Sequence, residues 1–252
     1  MNLLAFDTST EMMTVAVQRT EPGTGPVLPT LRLWQHSGPG GAQTSTHLIP
    51  VIQRLMEQAG LEFGQLDAIV FGCGPGSFTG LRTACSVAQG LAFGAKVPVL
   101  PVNTLLAVAE EARHQQACAL SRYDVMALLD ARMDEMYAAC YSFDSGIWTP
   151  IGDTRLIRPE NLNFEAVNTL AGNVFAPYGA RLPATLAAAP DPLARTTPLC
   201  IEALPTATAL LRLAPALLAA GGASPAEQAL PLYVRDKVAK TTAERAAEMA
   251  AT

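Results

Sequence analysis

Charge is the scarcest thing in this sequence: Asp, Glu, Lys and Arg make up 15% of its 252 residues, against about 25% in an average globular chain. Less charge means less solvating surface. Either apolar surface is covered by a partner or a large core is diluted by alanine, and composition leaves both open. Basic residues are outnumbered, 17 Lys and Arg against 22 Asp and Glu for a net charge of −5. That excludes a protein that grips nucleic acid through its overall field, because phosphate binding needs clustered cations. A local basic patch is not excluded. No uninterrupted apolar run approaches the roughly 18 residues of a membrane span. Cys73, Cys85, Cys118, Cys140 and Cys200 are odd in number and far apart, with no C-x-x-C pair. This is the pattern of reduced, mostly packed thiols rather than a disulfide frame or zinc site. Asp7 follows directly on Met1 to Phe6, so neither the basic stretch nor the apolar length of a signal peptide is present. A soluble, cytoplasmic protein is expected, with chain enough for one large domain or two of roughly 100–150 residues.

What is present reads as alternating strands and helices. The apolar run Leu3 to Phe6 stops at Asp7-Thr8-Ser9-Thr10, a β-branched strand follows from Thr14, and Leu31 to Gln35 alternates as a third strand. From Thr46 the period changes: Leu48, Val51, Ile52, Leu55 and Ala59 recur at helical spacing and Gly60 stops the segment. Ala68 to Phe71 is a continuous apolar strand of the kind buried on both faces of a parallel sheet. A Gly-rich turn, a helix from about Ser77 to Gly94 and a strand from Val97 to Val102 complete a βββαβαβ order. The pattern then restarts. Val125 to Leu129 ends in Asp130, and Met136 to Cys140 follows after a turn, as the strand from Thr14 follows Asp7. Either the chain is duplicated into two related α/β halves or these are two ordinary hairpins. Gly172 to Pro198, rich in Pro, Ala and Gly, reads as loop; Thr206 to Ala220 reads as helix despite Pro215, and the tail from Ala243 as a frayed helix.

The Gly72 to Arg82 run lies between a buried strand and a helix, where free amides favour an anion. Its spacing fits neither G-x-G-x-x-G nor the P-loop, because Ser77 and Thr79 stand where glycine is required and no Gly-Lys pair is present. A structural tight turn and a ligand site both remain. In the following helix Gly80, Ala84 and Ala88 form one stripe of small residues, and Ser86, Gly90 and Gly94 another about 200° round. Small side chains let backbones approach, so one stripe is expected on the sheet and the other against a second helix, from this chain or a partner. Ile49 and Met56 lie off the main stripe of the Thr46–Ala59 helix, more apolar surface than one face needs.

Ala5-Phe6-Asp7-Thr8-Ser9-Thr10, Gly74-Pro75-Gly76-Ser77-Phe78-Thr79-Gly80-Leu81-Arg82, Ala88 to Ala92, Leu129-Asp130-Ala131-Arg132 with Tyr137, and Pro231-Leu232-Tyr233-Val234-Arg235 together resemble the TsaB (YeaZ) family. The resemblance runs in order from residue 3 to about 240. It implies a bacterial accessory protein for making threonylcarbamoyladenosine in tRNA. The implied fold is the sugar-kinase/Hsp70/actin type, α/β, with two duplicated lobes, each a mixed sheet with flanking helices. We divide the chain into an N-terminal lobe (1–105), a C-terminal lobe (106–205) and a returning helix and arm (206–252). The resemblance also implies pairing with the sister protein TsaD, which transfers the threonylcarbamoyl group, and work alongside the ATPase TsaE. A homodimer is expected where TsaD is missing, tRNA is expected to be met only indirectly, and no membrane is involved.

TsaD carries an Asn-His-x-x-x-His motif, two imidazoles one helical turn apart. Here Asn103 is followed by Thr104 and Val108 at the two histidine positions, and His36, His47 and His114 have no useful mutual spacing, so no catalytic metal is expected. Each of these histidines is expected at the surface or in an interface. In actin-like ATPases two Asp-bearing turns close on the phosphates. Asp7 and Asp130 would supply the acids, but Ala171-Gly172-Asn173 offers a single glycine where the adenosine turn needs two, and no Lys is near. The other role for these acids is to cap their own turns. No cofactor and no catalytic residue are expected. The expected partner surface is His47, Leu48, Val51, Ile52, Leu55, Met56, Arg82, Ser86, Gly90 and Phe93. The rival is an enzyme of the same fold, a nucleotide-dependent activity or a protease-like hydrolase; it needs a nucleophile and base that no motif supplies. Direct tRNA binding by Arg235, Lys237 and Lys240 is a third reading, with too few cations to dominate.

Overall fold

Leu3, Leu4, Ala5 and Phe6 are all fully buried because β1 (Leu3–Asp7) is the centre of a sheet covered on both faces. The computed structural model describes residues 1–21, 30–116, 118–164, 167–183 and 198–235. In the first sheet β1 runs antiparallel to β2 (Met12–Glu21), with Ala5 opposite Ala16, and parallel to β4 (Ala68–Gly74), with Ala5 opposite Val70. β3 (Thr30–Pro39) forms one edge and β5 (Val99–Asn103) the other, giving the order β3-β2-β1-β4-β5. β3 runs past the Leu31–Gln35 stretch that alternates in the sequence, because all ten of its residues find a partner on β2. Strand alternation sends Leu4, Phe6, Ile69 and Phe71 to one face and Leu3, Ala5, Ala68 and Val70 to the other.

The first face is covered by α1 (Thr44–Ala59) and α2 (Phe78–Ala95). α1 ends at Gly60, which closes the helix at φ 61°. The second face is covered by α5 (Ala207–Ala219), which returns from the far end of the chain, keeps Pro215 within it, and is capped by the Thr206 hydroxyl. The first amide of α5, from Ala207, donates to Thr14 Oγ1 at 2.9 Å.

The second sheet contains β6 (Arg122–Asp130), β7 (Met136–Asp144), β8 (Ile147–Ile157), β9 (Thr169–Gly172) and β10 (Leu199–Glu202). Its order, β10-β9-β6-β7-β8, repeats the first sheet with each strand replaced by its counterpart, and the parallel and antiparallel pairings match as well. This decides for duplication over two ordinary hairpins. The chain has the two-lobed actin-like fold.

α3 (Thr104–Gln116) joins the lobes: Leu105, Val108, Ala109 and Ala112 lie on the second sheet while Ala107 faces the α5 core. Glu110, 2% exposed, accepts hydrogen bonds from Arg113 at 2.9 and 3.0 Å, Arg212 at 3.0 Å and the Trp148 indole at 3.0 Å. Charge buried at this depth is tolerable only when paired this fully, and the pairing ties α3, α5 and β8 together. The Gly172–Pro198 stretch is not all loop: α4 (Phe175–Tyr178) and a tight turn at Gly179–Arg181 follow β9, while 184–197 lie outside the described residues. So do the tail from Ala243, Asp236, Lys237 and Lys240. No helix among the described residues is long and apolar enough to cross a membrane.

Candidate functional site

Two surfaces can carry function, the cleft between the lobes and the outer face of α1 and α2. The ends of β1 and β6, the β4–α2 loop and the chain after α5 meet around a cavity of about 360 Å³, lined among others by Ser9, Glu11, Ser77, Asp130, Arg132, Asn173, Tyr233 and Arg235. Asp7 is not in its wall. It is fully buried, with Oδ1 accepting the Ser9 amide at 2.9 Å and the Ser9 hydroxyl at 2.7 Å. Its Oδ2 has no hydrogen-bond partner among the described residues and fills the space where a side chain at Gly72 would sit. Burial pushes the Asp7 carboxyl up to about 6, against a smaller downward pull from the Ser9 hydrogen bonds.

Asp130 does line the cavity but is already satisfied. Its Oδ1 accepts the Arg132 amide at 2.8 Å and the Tyr178 hydroxyl at 2.7 Å, and its Oδ2 pairs with the Arg132 guanidinium at 3.2 Å. The pair of acids that would hold a hydrated cation is therefore not assembled. Each acid caps its own turn. The single-glycine turn has a different use: Asn173 Oδ1 accepts the Asp130 amide at 2.9 Å, fixing the end of β6.

The start of α2 is occupied as well. Ser77 donates its amide to the Ser9 carbonyl at 2.7 Å, and Thr8 donates its hydroxyl to the Gly80 carbonyl at 2.8 Å. A Cβ at Gly80 would overlap the Thr8 carbonyl oxygen, so this glycine lets the β1–β2 turn lie directly on the helix. Close packing accounts for Gly80, while Gly76, Ser77 and Phe78 of the same run line the cavity.

The turn after β6 has an unusual backbone. Arg132, Met133 and Asp134 have φ of 60°, 55° and 61°, the left-handed region that costs a residue with a side chain roughly 1–2 kcal/mol. Outside contacts hold it. Arg132 reaches Glu11 of the first lobe at 3.1 Å, Arg181 reaches Asp134 at 2.6 Å, and Arg235 reaches Glu135 at 2.6 Å.

Thr104 and Val108 are both fully buried, and Asn103 caps α3 through the amides of Leu105 at 2.8 Å and Leu106 at 3.3 Å. Among the described residues no three of His, Cys, Asp and Glu gather as metal ligands would. Burial pushes the Cys73 thiol up to about 12 and raises Cys85 too, so neither is a ready thiolate. All five cysteines are free, but Cys118 and Cys200 are exposed rather than packed. His47 and His114 are exposed; His36 is half-buried beside Arg54, at 3.2 Å, where burial and that guanidinium lower its pKa.

The expected partner surface divides in two. Leu48, Val51, Ile52, Leu55 and Met56 all face the core of their own lobe, none more than 8% exposed. This corrects the expectation for these five, Met56 included, which lies on the main stripe after all. Turning them outward would cost on the order of 10 kcal/mol, the stability of a whole domain. Their i, i+3, i+4 spacing marks an apolar face, and it is the lobe's own sheet that covers it. His47, Arg82, Ser86, Gly90 and Phe93 are exposed, Phe93 at 77%, and Ile49 of α1 at 42%. Gly80, Ala84 and Ala88 are buried against the sheet, while Ser86, Gly90 and Gly94 face outward. Among the described residues, nothing outside the helix's own backbone lies within 4 Å of where a Cβ at Gly90 or Gly94 would stand. α1 does not cover this stripe.

The family model for tRNA N6-adenosine threonylcarbamoyltransferase, TsaD, matches residues 39–243. The tRNA threonylcarbamoyladenosine biosynthesis protein TsaB of Escherichia coli is 32% identical over 244 residues, covering 95% of this chain and 96% of its own. The chain belongs to the TsaB family. The Haemophilus influenzae TsaB protein is 40% identical over 140 residues, a match covering 54% of this chain and only 52% of that one. The solved YeaZ structure from Pseudomonas aeruginosa, 36% identical, superposes with a TM-score of 0.75 over 92% of this chain and 99% of its own. Tyr178 and Glu135, which hold Asp130 and Arg235 at the cleft, are residues that the sequence did not mark. They stand in no recognisable motif and reach their partners only through the fold.

Proposed function

We propose that this chain is a non-catalytic scaffold in making threonylcarbamoyladenosine in tRNA, pairing with TsaD through the outer face of α2 and supporting recruitment of TsaE. The names of its TsaB relatives supply the process. The observation that carries the pairing is the open Ser86, Gly90, Gly94 stripe beside the exposed Phe93. Two glycines in an exposed helix cost about 1 kcal/mol each relative to alanine and gain nothing from the described residues of this chain. They gain something when a second helix lies across them, because backbones then meet closely and Phe93 has a surface to cover. Arg82 and Ser86 border the same face.

A subunit without catalytic groups accords with Thr104 and Val108 in place of imidazoles, with an Asp7 sealed from the cleft and with a Cys73 thiol held protonated by burial. The same α2 surface would serve a homodimer when TsaD is missing. Contact with tRNA would come through TsaD, and the setting would be the cytoplasm, where the threonylcarbamoyl group passes from its adenylate to the adenosine beside the anticodon. The test is reconstitution: modified tRNA is measured with TsaD, TsaE and the adenylate-forming enzyme, with and without this chain. Product that depends on the chain supports the reading, and an equal yield without it refutes it.

A further inference from the structure

The chain after α5 lies along α2 before crossing to the other lobe. Ser224 pairs with Val99 at the edge of the first sheet, each amide donating to the other's carbonyl at 2.9 Å. Cys85 then donates to the Ala229 carbonyl at 2.9 Å, and Leu232 donates its amide to the Cys73 carbonyl at 2.7 Å. Arg82 donates through Nε to the Tyr233 hydroxyl at 3.0 Å, and the Tyr233 and Phe78 rings lie 5.4 Å apart. The contacts with α2 run from its middle, at Cys85, to its first turn, at Phe78. Two residues later Arg235 is on the second lobe, its Nη2 donating to Glu135 at 2.6 Å and to the Arg132 carbonyl at 3.3 Å. Leu232, Tyr233, Val234 and Arg235 all line the inter-lobe cavity.

Arg235 thus grips the turn in which three successive side-chain-bearing residues hold positive φ. Such a backbone persists only while its surroundings over-determine it. We infer that Ala229–Arg235 is a strap that couples the outer face of α2 to this turn and so to the cleft. With Tyr233 latched to Arg82, Arg235 holds the turn in its strained form; with the latch broken, the strap lifts and the turn relaxes. Arg82 suits the latch because its guanidinium lies over the exposed Phe78 ring, 3.8 Å from the centroid, and is itself exposed. A molecule that engages Arg82 on α2 removes the donor that Tyr233 uses. The inference does not depend on which molecule covers α2.

Amide hydrogen exchange of the full-length chain, read by mass spectrometry, tests it. The reporters are the Ala131 amide, bonded to the Glu135 carbonyl at 2.9 Å, and the Glu135 amide, bonded to the Arg132 carbonyl at 3.2 Å. Arg82→Ala and Tyr233→Phe, neither of which removes a group bonded to those amides, are expected to speed their exchange about tenfold, as Arg235→Ala does directly. Exchange in β1 and α5 should stay unchanged. If Arg235→Ala does not fold, Tyr233→Phe decides alone, since it deletes a single oxygen. Unchanged exchange at Ala131 and Glu135 in the Arg82 and Tyr233 variants overturns the coupling, whether or not the Leu232 amide loosens.

Discussion

Asp7 and Asp130 occupy the same place in the two halves of the molecule, each ending the first strand of its sheet, and each accepts the backbone amide two residues on, from Ser9 at 2.9 Å and from Arg132 at 2.8 Å. The duplicated turn has diverged in its surroundings. Asp130 gains Tyr178 and Arg132 as partners, whereas Asp7 is sealed with one oxygen unpaired. The differences in chemistry between the halves begin there.

The pKa of Asp7 rises on folding from 3.8 to about 6. A carboxyl shifted upward favours the fold while protonated, so its contribution is whole below pH about 4 and lost as pH rises past about 6. At about 1.36 kcal/mol per unit the loss is about 3 kcal/mol. Asp7→Asn keeps an oxygen for the Ser9 amide and removes the charge. Urea unfolding across this range should show the variant gaining on the wild type as pH rises. Parallel profiles would show that Asp7 ionises freely.

Two glycine-to-alanine changes in α2 should have opposite signs. Gly80→Ala drives a methyl into the Thr8 carbonyl and should cost about 1–3 kcal/mol. Gly90→Ala meets nothing within 4 Å and should stabilise the isolated chain by about 1 kcal/mol. Unfolding midpoints of the two variants check both signs.

Glu110→Ala strips the carboxylate from Arg113, Arg212 and Trp148 at once. A cost of about 3 kcal/mol is expected, the low end for a broken buried pair because both guanidiniums are partly exposed. A loss under about 1 kcal/mol in chemical denaturation would mean that the Glu110 cluster adds little to the joint between the lobes.

Titration calorimetry of the isolated chain with ATP and Mg²⁺ should give no saturable heat, because Asp7 is behind Gly72 and Asp130 is held by Arg132 and Tyr178. Binding in the micromolar range would contradict this reading of the cleft.

The sequence displays the fold well where periodicity is local. Leu3 to Phe6, the helical stripe from Leu48 to Ala59 and the Asp-ended strands of both halves can be read without coordinates. What it does not display is which of two opposed stripes on a helix is covered. Leu48 to Met56 could be assigned to a partner because one-dimensional spacing marks an apolar face without saying what covers it. Arg235 and Glu135, 100 residues apart, become neighbours only through the return of α5. The strained turn at Arg132 to Asp134 carries no glycine to announce it.

The most direct test of the proposed pairing is sedimentation of this chain mixed with TsaD, for the wild type and for Gly90→Arg. The wild type should run as a heterodimer; the variant, with an unfolding midpoint no lower than the wild type's, should leave both proteins as separate species. Equal complex formation by the two would contradict the assignment of α2 as the partner surface, and no complex with the wild type would contradict the pairing itself.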